Sequence, residues 1–512
     1  MRTRFSRRSR RLLAVGVSAT ALVATSCMSG TSDTAPFLVP SADGVDLFSL
    51  LTVGDSASAD NGYEMVGIPD GLGARRGEDG NVVVNMNHEL QPTQGITRLH
   101  GERGAFVSKL SISDSARVVE GSDLIQPGVL YYDYLTNSFD DKAGAAGTRS
   151  DGKVFPAYLN AFSRFCSATL TDPGQLFNGL TGKGYLGQIF FANEESGDEG
   201  RVFGVTEDGQ AKQLPRLGLF SWENTIAADN NTDTTLVMGN EDSAAGQLWA
   251  YVGRKIAAGS PSARAGLQNG RNNVIKLADV TTDAGFRAAY DKGTAVPFTL
   301  SDVEWNQSGA DQNVEAAAEG LALNRIEDGA FDPNNRNDFY FVTTDGGEGT
   351  TQGGGGGLWK LSYTNVDTPS AGGTLTLVLD GTESIGLNKP DNIDIDADGN
   401  MLIQEDPGGV DEIARIVAYR LSDGATGEVA QFDPNLFDPT SPNFLTNDEE
   451  SSGVIDVADL FGPGAWLFDA QVHTSAGLPP GFGEGSVEEY VQQGQLLLMY
   501  VSDWNAVYGA PL

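Results

Sequence analysis

Apolar residues fall in short runs, such as Val82-Val83-Val84, Ile189-Phe190-Phe191-Ala192 and Leu236-Val237-Met238, separated by turns rich in Gly, Asn and Asp. No stretch keeps the 3.6-residue period of a long amphipathic helix, so the pattern predicts strands. Five runs end in a small acidic cluster: Asn87-His88-Glu89, Asn193-Glu194-Glu195, Asn240-Glu241-Asp242, Thr343-Thr344-Asp345 and Gln404-Glu405-Asp406. In four of these units a second acidic motif lies 14 to 26 residues upstream, as Pro69-Asp70-Gly71, Trp222-Glu223-Asn224, Ala318-Glu319-Gly320 and Pro390-Asp391-Asn392. A Gly-containing turn and a further strand follow, as at Gly200-Arg201-Val202-Phe203 and Gly246-Gln247-Leu248-Trp249. The unit reads strand, turn, strand, acid, turn, strand, which predicts the blade of a β-propeller. Five units, with C-terminal strands around Trp466-Leu467-Phe468 and Leu496-Leu497-Leu498 and N-terminal help, predict an all-β, six-bladed propeller over residues 45–512. Loop or partly helical insertions are expected near 111–183 and 256–312.

Composition supports this. The 65 glycines suit a protein of many tight turns and show no collagen period. With 69 acidic against 33 basic residues, a charge of −36, the chain has no electrostatic footprint for nucleic acid or an anionic membrane. A phosphate substrate stays open, because bound cations reverse the local sign.

At the N-terminus six arginines, Arg2 to Arg11, precede the apolar stretch Leu12–Ala24, which is too short to span a membrane permanently. Residues 1–26 therefore read as a signal peptide, and Ser9-Arg10-Arg11-Leu12-Leu13 is twin-arginine-like. Its loss leaves 27 basic residues against 69 acidic, a charge of −42. Cys27 stands where a lipidated first residue would, giving the one membrane link expected, and residues 27–44 read as a flexible tether. The protein is thus expected outside the cytoplasm: periplasmic, extracellular or lipid-anchored, and monomeric. Without Cys27, Cys166 has no partner for a disulfide, and it reads as a small buried apolar residue.

Equivalent positions of propeller blades face one axis, so the repeated acids would converge on the channel. Converging carboxylates repel and need cations between them, and oxygen-only ligation favours calcium. Three histidines are too few for a His-built zinc site, and no Gly-x-Ser-x-Gly elbow accompanies them. His473 can either face the channel or pack. The run Asp394-Ile395-Asp396-Ala397-Asp398-Gly399 with Glu405 matches an EF-hand loop at its acidic positions, but its alternation predicts a hairpin instead.

These motifs resemble those of the PhoX-type alkaline phosphatases, a family of twin-arginine-exported propellers. The likeness rests on Pro69-Asp70-Gly71 followed by Asn87-His88-Glu89, on Glu194-Glu195, Glu319-Gly320 and Pro390-Asp391-Asn392, and on Asp469-Ala470-Gln471-Val472-His473. It implies hydrolysis of small phosphate esters at a channel-mouth cluster of calcium, with iron as a second metal. Two departures bear on this. The family carries a cysteine directly before the paired glutamates, where this chain has Asn193, which weakens the case for iron. It also carries an arginine before the acid matched by Glu319, where Ala317 and Ala318 stand, leaving phosphate binding to Lys389, Arg325 or Arg164. The candidate metal ligands are Glu89, Glu194, Glu195, Glu241, Glu319, Asp391 and Glu405, with Asp70, Glu223 and Asp345 behind them. Two other classes fit a calcium propeller: a lactonase or phytase-like esterase, and a non-catalytic surface protein whose calcium is structural.

Overall fold

The computed structural model describes residues 32–57, 62–346, 355–481 and 485–509. The signal segment and Cys27 lie outside them. No helix among the described residues is long and apolar enough to cross a membrane.

The fold is an all-β propeller. Four antiparallel meanders follow one another directly from inner to outer strand. Blade 1 comprises Pro69–Arg76, Val82–His88, Phe106–Ile112 and Val118–Asp123, and blade 2 Phe165–Leu170, Ile189–Glu194, Val202–Thr206 and Ala211–Gln213. Blade 5 comprises Pro390–Ile395, Asn400–Glu405, Arg415–Arg420 and Thr426–Phe432, and blade 6 runs Glu449–Asp456, Ala465–Val472 and Gln493–Val501. The N-terminal strand Val45–Thr52 pairs with Gln493–Val501 and completes blade 6, so the ring is closed by both ends of the chain.

Six separate blades were expected, and here the structure corrects the sequence. The four sheets above stand alone, while meanders 3 (Trp222–Ala227 to Asn272–Leu277) and 4 (Ile326–Phe331 to Gly373–Leu379) are fused into one nine-stranded sheet by Val296–Val303. That linking strand and Asn272–Leu277 occupy the stretch expected to be an insertion. Within the expected tether 27–44, Leu38–Pro40 pairs with Thr426–Phe432 as a fifth strand of blade 5.

Each interface between neighbouring meanders has its own apolar core. Phe190 faces blade 1 with Val107 and Phe203, whereas Phe191 faces meander 3 with Trp222 and Trp249. Leu236 and Met238 meet Phe339 and Trp359, Ile393 and Ile403 meet Val342 and Leu358, and Trp466 and Phe468 meet Ile416. Both faces of each sheet are covered, so successive residues point into different cores and the strands read as continuous apolar runs. This packing leaves the polar residues of the inner strands nowhere to face but the axis.

Candidate functional site

All six meanders shape their axial end alike. Each inner strand starts opposite the end of the second strand, in the pairs Pro69↔His88, Phe165↔Glu194, Trp222↔Glu241, Ile326↔Thr343, Pro390↔Glu405 and Glu449↔Val472. A β-bulge then shifts the register within the next few residues of every inner strand. Bulges re-aim side chains and concentrate beside functional sites. The residues just past these pairs, Glu89, Glu195, Asp242, Thr344, Asp406 and His473, donate their backbone N–H at 2.9–3.0 Å to the carbonyls of Ile68, Arg164, Ser221, Arg325, Lys389 and Asp448. Four of those acceptors, Ile68, Arg164, Arg325 and Lys389, hold φ between 45 and 55°. Each non-glycine residue in this region costs about 1–2 kcal/mol, and its repetition marks a turn over-determined by its surroundings.

The turns bring two kinds of position together: the second residue of each inner strand (Asp70, Cys166, Glu223, Glu327, Asp391, Glu450) and the residue after each second strand. Among the described residues they form four overlapping groups able to hold a metal ion: Asp70–Glu89–Cys166, Cys166–Glu195–Glu223, Glu223–Glu327–Asp391 and Asp391–Asp406–Glu450. Within each group the ligand atoms lie within 4.8 Å of one another, so eight carboxylates and one thiol run around the axis as a continuous chain.

The electrostatics follow from burial and crowding. Burial, then Glu89 and Glu223, push the Asp70 carboxyl well up, and burial pushes Glu223 up to about 8. Glu195, Glu327, Asp391 and Asp406 are raised well above the carboxylate range by burial and then by neighbouring acids. Cys166 Sγ lies 3.0 Å from Glu223 Oε2 and 3.4 Å from Asp70 Oδ2, and burial and these acids push the thiol up too. Without cations the ring must hold protons, and with them it can ionise. The rim is cationic. Arg164 donates through Nε to Glu89 at 2.6 Å and also binds Glu195, while Arg325 makes two 2.9 Å bonds to Asp242 and lies 3.1 Å from Glu327. Lys389 takes the equivalent turn position in blade 5.

Of the ligands expected from sequence, Glu89, Glu195 and Asp391 are in the ring, as are Asp70 and Glu223. Glu194, Glu241, Glu319 and Glu405 are not. The Glu194 carboxylate is buried against Arg201 at 2.6 and 2.7 Å, and Glu405 meets Arg415 at 2.6 and 2.9 Å. Glu241 accepts from Trp249 Nε1 and the Gln247 N–H. Glu319 ends the helix Gly309–Glu319, half-exposed and bonded to Lys276. Asp345 lies one residue beyond the site position held by Thr344. Four of the five triplets thus divide their labour: the last residue takes the axial position, the middle one clasps the next strand, and the first laces blades together. Asn87 Nδ2 reaches the Cys166 carbonyl, Asn240 Nδ2 the Glu327 carbonyl, and Gln404 Oε1 accepts from the Val454 N–H.

Sequence reasoning missed Glu327, Asp406 and Glu450 as ligands, and took Cys166 for packing. One signal was available for Cys166. The Glu194-Glu195 unit was the one without an upstream acid, and the thiol stands in that acid's place.

A profile of the family described as "Alkaline phosphatase PhoX" matches residues 177–449, just over half of the chain. The chain belongs to the PhoX alkaline phosphatase family. It is therefore a phosphoric ester hydrolase of the alkaline phosphatase type. Among solved structures, PhoX of Pseudomonas fluorescens in complex with vanadate, described as a transition state analogue, superposes with a TM-score of 0.62 at 13% identity, over 92% of this chain and 98% of that one. An α-L-arabinofuranosidase of Fusarium graminearum and an α-L-arabinanase of Penicillium chrysogenum follow at a TM-score of 0.38 and 9% identity each, covering 87% and 85% of this chain and 96% and 94% of theirs. No curated protein sequence matches. Cys166 stands second on the inner strand of blade 2, with Arg164 just before that strand, and Arg325 stands two residues before Glu327.

Proposed function

We propose that the chain hydrolyses phosphate monoesters at a cation cluster held by Asp70, Glu89, Glu195, Glu223, Glu327, Asp391, Asp406, Glu450 and Cys166. The overlapping ligand groups around one axis carry this reading. The donor set fits calcium at the oxygen-only groups, and the thiolate beside Asp70, Glu195 and Glu223 fits a softer or transition metal such as iron. Bound cations would neutralise the ester dianion and lower the pKa of water in the site. The protein's own part is positional. The acids fix where positive charge sits, the six bulged turns hold them rigidly, and Arg164 and Arg325 offer forked donors to phosphate oxygens with Lys389 as a point charge. The raised Cys166 thiol is a poor nucleophile when protonated and serves better as a ligand.

A lactonase-like reading needs one compact ligand set, and ligand groups that extend from blade 1 through to blade 6 favour a cluster instead. Export through the twin-arginine-like leader accords with a cluster built before translocation, and Cys27→Ala should release the protein from membranes if that residue is lipidated. The activity is tested with an aryl phosphate. Calcium- and iron-loaded protein should hydrolyse it, lose activity to a chelator, regain it on reloading and be inhibited by vanadate. A loaded protein that is inactive, or indifferent to the chelator, contradicts the proposal.

A further inference from the structure

Beside the ring at blade 6 lies a cavity of about 560 Å³, within the range of small-molecule sites. Three segments outside the blade strands build it: one after the second strand of blade 1, carrying Thr93, Gln94 and Arg103, one just after the second strand of blade 6, carrying Ser475, and one just before its third strand, carrying Glu488 and Gln492. His473 is the wall shared with the ring. Its Nδ1 bonds Gln492 Oε1 at 2.8 Å, and its Nε2 lies 3.9 Å from Glu450 Oε1. A phosphate held at the ring on this side would direct its ester oxygen and alcohol toward the cavity.

Resting on the phosphatase reading, we propose that this cavity seats the alcohol half of the ester and selects hydroxyl-rich alcohols, such as sugars. Three features of the lining argue for that class. Thr93, Thr474, Ser475, Gln94 and Gln492 supply hydroxyl and amide donors and acceptors, and no Phe, Tyr or Trp lines the cavity, so a flat aryl group has no large ring to stack on beyond the His473 imidazole. Arg103 and Glu488 bring one charge of each sign, which disfavours an alcohol that carries further phosphates. A site built to hydrogen-bond hydroxyls rejects analogues lacking them, because its own polar groups are then left unpaired.

The test compares glucose 6-phosphate with phenyl phosphate in the metal-loaded wild type, Thr93→Val and Ser475→Val. Both positions are exposed loop residues whose change leaves the blades intact. Each variant should lower the ratio of kcat/KM for the sugar ester to that for the phenyl ester by roughly 2- to 10-fold, the effect of one lost hydrogen bond, with the loss in KM for the sugar ester. A ratio unchanged in both variants overturns the proposal. A loaded wild type that hydrolyses neither ester sinks the phosphatase reading, and this proposal with it.

Discussion

Arg325 and Cys166 give the sharpest tests at the residue scale, because the proposed site gives each a role that a close substitute fills at most in part. The Arg325 guanidinium is held by Asp242 and Glu327 at the rim, with a third of its surface open to a ligand. Arg325→Ala should lower kcat/KM for an aryl phosphate roughly 10- to 100-fold, the scale of lost charged hydrogen bonds, and Arg325→Lys should recover part of it. An unchanged kcat/KM in the Ala variant would remove Arg325 from substrate binding. Cys166→Ser swaps the single soft donor for a hard one. Elemental analysis should find calcium retained and iron reduced, and equal iron in both proteins would refute a thiolate ligand. The sequence made the last acid of the first two triplets legible, since Glu89 and Glu195 are where repetition placed them. It could not separate that acid from its neighbour. Glu194 and Glu195 differ only in strand parity, and parity at the strand end is set by the bulge and by which partner, Arg201 or the axis, receives the side chain.

At the scale of the strand and its connections, buried clasps explain why acids recur at positions that bind nothing. Glu194 and Arg201 are both almost fully buried, and the Arg201 guanidinium also donates to the Leu159 carbonyl. Removing one member leaves the other charge without its partner, so Glu194→Gln should destabilise the fold by about 3–5 kcal/mol, read as a lower denaturation midpoint at unchanged m-value. Metal content of the folded fraction should stay at the wild-type level. A variant as stable as the wild type would show that the clasp contributes nothing. The apolar runs made most strands legible. The region 256–312 was not, because Asn272–Leu277 pairs with Leu248–Arg254 through little regular register and is flanked by helices. Glu319 misled for a related reason: its Ala-rich surroundings belong to the helix Gly309–Glu319, capped by Ser308, and not to a strand end.

For the whole molecule, a closed ring crowds buried acids around one axis, and stability must depend on pH and metal together. Burial raises Glu223 to about 8, and raises Asp328 and Asp394, which line a 460 Å³ cavity further along the channel, to about 7. Unfolded carboxyls titrate near 4, so between about pH 4 and 8 the metal-free fold binds more protons than the unfolded chain. Its stability is therefore greatest at the acid end of that window and falls as pH rises through it. Cations replace those protons, so protection by calcium should grow with pH. Thermal melts across this range, in chelator and in calcium, should diverge toward alkaline pH, and a metal-free melting point that rises steadily with pH would contradict the charge account.

The central claim is that the ring, and not every repeated acid, holds the cations. Metal content per chain in the wild type, Glu327→Gln and Glu319→Gln tests it most directly. Glu327 is a buried ring member that sequence reasoning passed over, and Glu319 is the half-exposed, Lys276-paired acid it chose. The ring account predicts that Glu319→Gln keeps the wild-type complement, while folded Glu327→Gln loses at least one cation and its phosphatase activity together. A full complement in Glu327→Gln, or an equal loss in both variants, would contradict it.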